Sequence, residues 1–314
     1  MNICEKTLFL QLNFKNSTMK TTKLTCLALG LLLTASLASC QKEQAGVYSP
    51  KNKIQRIYYA SGGHEKEPFQ HWDWNGDQLS SITHYKDFDF KKDVWIENFT
   101  YENNRVVRVD NFTNSEYITY EYDGDHLKTA TVYFRNAIAC TWAISYDGDH
   151  INKMVGTFFT DYKKNRAEMH LDPLSHLLTP KVCERIQKCE RQMAEQRRHE
   201  ETYSFVLLFT WSGDNISKIV FTGDGEYLDF QLQYDDMNCP WFGFLGGLED
   251  FLINYEAGHT GFTKHNLTSM IVKKRHYIDT ICFAYQYNSD KYPILQTMYE
   301  SDDIDYKSVL YFEY

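Results

Sequence analysis

Alternating apolar and polar side chains predict β-strands along most of the chain beyond residue 50. Tyr120 and Tyr122 flank Glu121, and Ile144 and Tyr146 flank Ser145, which is the two-residue period of a half-buried strand. Each of these strands ends in the pentapeptide YDGDH, at residues 122–126 and again at 146–150. Asp-Gly supplies the positive φ that a tight hairpin turn requires. The pattern therefore predicts strands joined by short turns.

The turn belongs to a degenerate repeat that starts on an aromatic residue. The repeat has an aromatic residue, a turn residue, Gly or Asn, Asp or Asn, any residue, an aliphatic residue, and a second aliphatic three positions later. It occurs at 74–82, 101–109, 122–130, 146–154, 211–219 and, more loosely, at 287–292. Because the aliphatic pair is spaced by three and not by two, we expect a β-bulge beside each turn. A series of such hairpins is an antiparallel meander.

One segment interrupts the strand pattern. Residues 180–203 have high helix propensity, and Val182, Ile186, Cys189 and Met193 form a narrow apolar stripe on an otherwise charged surface. We interpret the segment as a helical insertion, with a charged hairpin arm as the alternative. The predicted fold class is all-β: a strongly curved antiparallel meander, which could close into a barrel, with one helical insertion at about 180–203.

The N-terminal region predicts export and lipidation. A basic segment from Met19 to Lys23 precedes the apolar run Leu24–Ala38, which is shorter than the ~20 residues of a spanning helix. Leu37-Ala38-Ser39-Cys40 resembles a bacterial lipobox, in which the cysteine is acylated. We therefore expect a signal peptide over 1–39 that starts at Met19, a lipidated Cys40 with a tether over 40–50, and a single β domain over 51–314.

Composition and charge limit which kinds of partner the chain is expected to bind. The formal net charge is −9, so no basic face is available for a nucleic acid. The expected membrane contact is the lipid on Cys40, and Gln41 favours sorting to the outer membrane by analogy with other lipoproteins, without indicating which face of the envelope the domain occupies. The chain beyond Cys40 has five further cysteines, at 140, 183, 189, 239 and 282, and they form no CxxC motif. Free thiols are the simpler interpretation, and one disulfide is the alternative.

Several segments resemble a known family. YDGDHLKTATVY (122–133), YDDMNCPWFGF (234–244), HNLTSM (265–270) and YNSDKYPILQ (287–296) are similar to the YD-repeat pattern of uncharacterised Bacteroidetes-type lipoproteins. The resemblance covers most of 70–314. It implies a domain of unknown function with a porin-like, curved antiparallel sheet, and it implies no activity. The chain departs from the pattern at Cys239, where Asn is usual, and through the insertion at 180–203.

The candidate motifs favour structural roles for their residues over catalytic or metal-binding roles. Asp123, Gly124 and Asp125, and likewise Asp147, Gly148 and Asp149, could contribute to a calcium loop, but each copy returns to strand at once and lacks a bidentate Glu. We therefore interpret both as turn residues. The histidines lack the spacings of zinc motifs, and neither a catalytic serine elbow nor a phosphate loop is present in the sequence. We predict no metal, no cofactor and no catalytic residue.

The aromatic residues are the remaining candidates for binding. A row of exposed rings on a curved sheet would stack on sugar rings or grip a protein partner, although core and strand packing is the simpler interpretation of any single ring. The candidate ligand-stacking residues are Trp72, Trp74, Trp95, Trp142, Trp211 and Trp241. We expect a non-catalytic binding or scaffolding module of the cell envelope, for glycans or other envelope partners. The alternative is a carbohydrate-active or other envelope hydrolase.

Overall fold

Sixteen antiparallel strands in sequence order close into a barrel. In the computed structural model the described residues are 44–61, 63, 65–85, 94–111, 116–159, 202–223, 226–245, 261–274, 277–301 and 303–314. The strands are β1 (Arg56–Ser61), β2 (Glu67–Asn75), β3 (Gln78–Tyr85), β4 (Val94–Glu102), β5 (Arg105–Asn111), β6 (Glu116–Asp123), β7 (His126–Phe134), β8 (Ala137–Asp147), β9 (His150–Phe159), β10 (Thr202–Ser212), β11 (Asn215–Gly223), β12 (Glu226–Asn238), β13 (His265–Lys274), β14 (Tyr277–Tyr287), β15 (Pro293–Glu300) and β16 (Asp303–Glu313).

Each strand pairs with its neighbours in the sequence, and the first strand pairs with the last. The β1–β16 ladder runs from Arg56↔Glu313 to Ser61↔Ser308 and closes the sheet. The sixteen strands within the described residues therefore form a sheet without a free edge strand. The prediction of an all-β antiparallel meander is confirmed, and the structure establishes that the curved sheet is a closed barrel.

The bulge predicted beside the repeated turn is confirmed. The register shifts between Glu121 and Tyr122 in the β6–β7 hairpin, because Glu121 pairs with Thr129 whereas Tyr122 pairs with Leu127. Lys128 is the extra residue. The same shift occurs at the aromatic residue of the hairpins that begin with β2, β4, β8 and β10. The spacing of three in the aliphatic pair is therefore the bulge itself.

Two of the segment boundaries predicted from the sequence, the end of the helix and the start of the β domain, fall at or near described residues. Thr202 and Tyr203, predicted as the end of the helix, are the first residues of β10, so this part of the prediction is wrong; residues 180–201 lie outside the described residues. Gln44–Tyr314 form one compact unit, whereas the predicted signal peptide and Cys40 lie outside the described residues. None of the described residues belongs to a helix long and apolar enough to cross a membrane.

The inward face of the barrel is an apolar core. A sixteen-stranded barrel has sufficient circumference to enclose an aqueous channel. Here the largest of the fully buried side chains are less than 2% exposed, so no water-filled channel borders them. They include Trp72, Leu79, Leu127, Trp142, Met154 and Ile216. They belong to one continuous cluster that extends over most of the strands.

All the YD-type turns lie at one end of the barrel, which we call the turn-bearing end. The arrangement follows from the meander, since every connection from an even to an odd strand returns at the same end. Two segments pack into this end: Gln44–Ile54, the strap, and Cys239–Leu245, the plug. The strap begins on the β6–β7 turn, where the Ala45 amide donates to the Asp125 carbonyl at 2.9 Å.

Buried aromatic contacts join the strap to the plug. Tyr48 of the strap is buried, and its hydroxyl donates to the Pro240 carbonyl at 2.6 Å. Its ring lies 5.2 Å from Phe244 and 5.7 Å from Trp74. Residues 44–50, which the sequence assigns to the tether, are thus in contact with the barrel in this structure, while the tether boundary remains a prediction.

Candidate functional site

The structure places most of the candidate tryptophans away from the outer surface. Trp72, Trp142 and Trp241 are buried in the core. Trp74 and Trp211 are partly buried and pack against it. Trp95 belongs to β4, and its side chain lies outside the described residues. Strand alternation turns Trp72 and Trp142 inward, and Trp241 lies in the plug, so these three rings do not belong to an exposed aromatic row.

The first aromatic residue of a repeat bonds to the segment before it, which is the strap for Trp74 and the preceding hairpin for Tyr101 and Trp211. Trp74 and Trp211 donate their indole Nε1 to the carbonyls of Ile54 and Ile151, both at 2.7 Å. The Tyr101 hydroxyl donates to the Leu79 carbonyl at 3.0 Å. Leu79 and Ile151 are the first aliphatic residues of their own repeats. The repeated aromatic is thus a latch between successive hairpins, which accounts for its hydrogen-bonding side chain.

The two YDGDH copies are tight turns. Gly124 and Gly148 have φ of +57° and +61° at the first central position, as in a type II′ turn. The carboxylates of Asp123, Asp125, Asp147 and Asp149 do not converge. Asp125 accepts from Gln44 Nε2 at 2.9 Å, and Asp149 lies 3.4 Å from His126 Nε2. Within the described residues, no three His, Cys, Asp or Glu side chains could hold a metal ion together.

The outer face carries a row of hydroxyl side chains that the sequence analysis missed. Thr119 pairs with Thr131, Thr131 with Thr141, Thr141 with Thr157, and Thr157 with Ser204, so these five residues occupy one line across β6 to β10. We call this line the hydroxyl row. Every member is at least partly exposed, and Thr119, Thr131, Thr141 and Thr157 each lie between two buried neighbours. The signal in the sequence is an apolar–hydroxyl–apolar triplet in each strand, such as Ala130-Thr131-Val132.

A stack of planar groups borders this row on the side away from the turn-bearing end. Tyr117 and Tyr133 lie directly opposite each other on β6 and β7, with ring centroids 4.5 Å apart and an interplanar angle of 12°. The guanidinium carbon of Arg108 is 3.7 Å from the centre of the Tyr117 ring. Asp110 fixes that guanidinium, since Arg108 Nε donates to both carboxylate oxygens at 2.8 and 2.9 Å. On its other side Tyr133 faces β8, where it pairs with the exposed residue Ile138.

A chain of hydrogen bonds fixes the buried polar side chains of β2 to β4. The Trp72 indole Nε1 donates to Gln70 Oε1 at 3.0 Å, which directs the Gln70 amide nitrogen towards His84 Nδ1, 3.3 Å away. Nδ1 then accepts from the amide, and the other ring nitrogen, Nε2, lies 3.3 Å from Glu97 Oε2. The chain serves to order the interior.

The chemistry of Cys239 is set by its position in the plug. Burial raises the pKa of the Cys239 thiol to about 12, from the ordinary value of 9.0. The nucleophilic form of a cysteine is the thiolate. A thiol with this pKa stays protonated near neutral pH, so Cys239 is a packing residue.

Two solved structures are similar to this chain in fold, both with low TM-scores. No family model and no curated protein matches the sequence. A porin-like protein from Bacteroides uniformis is 10% identical, with a TM-score of 0.49 over 84% of this chain and 99% of its own. A porin-like protein from Bacteroides vulgatus is 11% identical, with a TM-score of 0.29 over 83% and 98%. Because both TM-scores are below 0.5, neither likeness supports an argument about function.

Proposed function

We propose that this chain is a lipid-anchored protein of the cell envelope whose barrel is a non-catalytic binding or scaffolding module. The observation that carries the proposal is the polarity of the barrel wall. Its inward side chains form an apolar core, whereas charged and hydroxyl side chains cover much of the outward face. A barrel of this kind offers its outer wall and its two ends as contact surfaces, and its interior serves stability.

The outward charges argue that the barrel stands in water. A barrel that spans a bilayer presents an apolar band to lipid and polar side chains to its lumen. Here Lys218 and Asp229 form an ion pair of 2.7 Å on the outer face of β11 and β12, and Arg108 and Asp110 form another on β5. Charged side chains facing lipid near the bilayer midplane cost a few kcal/mol each. Attachment to the membrane then requires the lipid predicted on Cys40.

The first described residues of the strap lie at the turn-bearing end. Gln44 Nε2 donates to Asp125 of the β6–β7 turn at 2.9 Å. The strap is held there by backbone bonds and by Lys53, which donates to the Gly76 carbonyl at 2.7 Å.

Membrane fractionation of cells that express the full chain tests the proposal. We expect wild-type protein in the membrane fraction and Cys40→Ala in the water-soluble envelope fraction. Cys26→Ala, in the apolar run of the signal peptide, is the matched control and should fractionate as wild type. Retention of Cys40→Ala in the membrane after alkaline carbonate washing would contradict the proposal, because the barrel itself would then hold the protein in the bilayer.

A further inference from the structure

We propose that the outer face of β6 to β10 binds a neutral glycan chain, which lies across the strands along the hydroxyl row. This inference rests on the proposed binding function and assigns it a surface and a class of ligand. The row is Thr119, Thr131, Thr141, Thr157 and Ser204, joined by four consecutive cross-strand pairings.

The spacing of the row suits a polymer of sugars. Neighbouring strands lie about 4.8 Å apart, so five hydroxyls span about 19 Å at regular intervals. A hydroxyl group both donates and accepts hydrogen bonds, as the hydroxyls of a sugar do. A linear glycan that crosses the strands presents hydroxyl groups at a comparable repeat, so successive side chains can bond to successive sugars.

The surroundings of the row favour a neutral ligand. No member of the row is charged, and its neighbours towards the turn-bearing end include Ala143 and Val155, directly paired across β8 and β9. Because these side chains are short, a glycan can approach the surface of the sheet closely beside the row. On the opposite side the Tyr117–Tyr133 stack forms a wall, and these partly exposed rings suit contact with the apolar C–H groups of a sugar ring.

Arg108 and Asp110 lie at the β5 end of this surface. Arg108 pairs with Thr119 and thus continues the line of the hydroxyl row by one strand. Its bond to Asp110 balances its charge and leaves both groups partly exposed. Such a pair can donate to and accept from sugar hydroxyls without selecting an acidic polymer.

Ordinary strand propensity does not explain the row. Threonine is common in strands, and isolated Thr–Thr pairs stabilise exposed sheets. The corresponding outward line on another part of the wall is mixed: Ala284, Thr297, Val309 and Ala60 pair in succession across β14, β15, β16 and β1. A protein partner would be expected to use large apolar anchors, and the row has none.

Affinity electrophoresis with the full chain tests the inference. The native protein is run in gels that contain dextran, laminarin, mannan or xylan, with the acidic polysaccharide alginate as comparison. We expect at least one neutral polysaccharide to retard the protein. Thr131→Val together with Thr141→Val removes two central hydroxyls while preserving side-chain shape, and should weaken binding about tenfold or more, because two hydrogen bonds to the ligand are lost.

The matched control is the double variant Thr280→Val and Thr297→Val, which removes two partly exposed outward hydroxyls on β14 and β15. It should bind as wild type, whereas Tyr133→Ala should lose affinity. Equal binding by the Thr131/Thr141 variant and wild type, retardation by alginate alone, or no retardation by any polysaccharide would each overturn the inference. None of these results alters the fractionation of Cys40→Ala, so failure here is distinct from failure of the proposed membrane attachment.

Discussion

The indole Nε1 of Trp211 donates a hydrogen bond of 2.7 Å to the carbonyl oxygen of Ile151 in the preceding hairpin. Ile151 follows the second YDGDH turn, so the bond ties two repeats through residues that are 60 positions apart in the chain. Tyr285, two positions before the aromatic residue of the repeat at 287–292, likewise donates to the Leu267 carbonyl at 2.8 Å. A ring without a donor could fill the same space but could not satisfy the carbonyl. The repeated aromatic residue is thus selected for a bond as well as for packing.

Replacing this donor should destabilise the barrel. Trp211→Phe keeps an aromatic ring but leaves the Ile151 carbonyl without its partner, so we expect a loss of about 1–3 kcal/mol in the free energy of unfolding. Urea denaturation followed by circular dichroism measures it. Tyr227→Phe removes the hydroxyl of an exposed ring and should change stability by less than about 0.5 kcal/mol. Equal stabilities of the two variants would show that the latch contributes nothing.

The strap depends on a glycine. Gly46 has φ of +82°, and a Cβ at this position would lie 2.1 Å from the Tyr122 hydroxyl oxygen. Gly63 has the same φ, and a Cβ added there would have no heavy atom within 4 Å. Both Gly→Ala variants therefore carry the cost of a positive φ, about 1 kcal/mol, and only Gly46→Ala adds a steric clash. We expect limited proteolysis to release the strap from Gly46→Ala faster than from Gly63→Ala. Equal rates would mean that the strap tolerates the side chain.

Gly156 makes room for the buried ring of Trp142. A Cβ on Gly156 would lie 2.6 Å from two carbon atoms of that ring. We expect Gly156→Ala to destabilise the barrel by about 1–3 kcal/mol through overpacking. Combining it with Trp142→Phe tests the cause, because a smaller ring should reduce the penalty of the alanine. Additive losses in a double-mutant cycle would contradict this explanation.

Alkaline pH should destabilise the barrel. Burial raises the pKa of Cys239, Tyr101 and Tyr146 to about 12, above their ordinary values of 9.0, 10.0 and 10.0. The folded state therefore keeps protons that the unfolded chain releases. Rising pH then stabilises the unfolded state relative to the folded state, so the free energy of unfolding falls. We expect a constant urea midpoint up to about pH 9 and a progressive fall between about pH 9 and 12. A midpoint that stays constant to pH 12 would contradict the raised pKa values.

The thiol of Cys239 should be unreactive in the folded protein. Its raised pKa suppresses the thiolate, and its position in the plug blocks access. Cys282 is partly exposed on β14 and provides the internal comparison. After brief alkylation at pH 8, peptide mapping should find Cys282 modified and Cys239 intact, with both modified in urea. Modification of the two residues at the same rate in native buffer would count against a buried Cys239.

The local features of the fold were predictable because they depend on neighbouring residues. The spacing of Leu127 and Ala130 after Tyr122 indicated the bulge, and Asp123-Gly124 indicated the turn. The direction of the tryptophan rings was harder to predict. Trp72 and Trp142 occupy positions that strand alternation turns inward, and composition alone could not distinguish an exposed ring from a buried one.

By itself, the sequence determined the all-β meander, its repeated hairpins and their bulges, because hydrophobic period and turn chemistry act over a few residues. Only the tertiary structure decided that β1 pairs with β16, that the strap and the plug fill one end, and that five hydroxyls form a line. Each of these features depends on the cumulative register of many strands. A slip of one residue in any hairpin would turn its side chains to the other face and break the row.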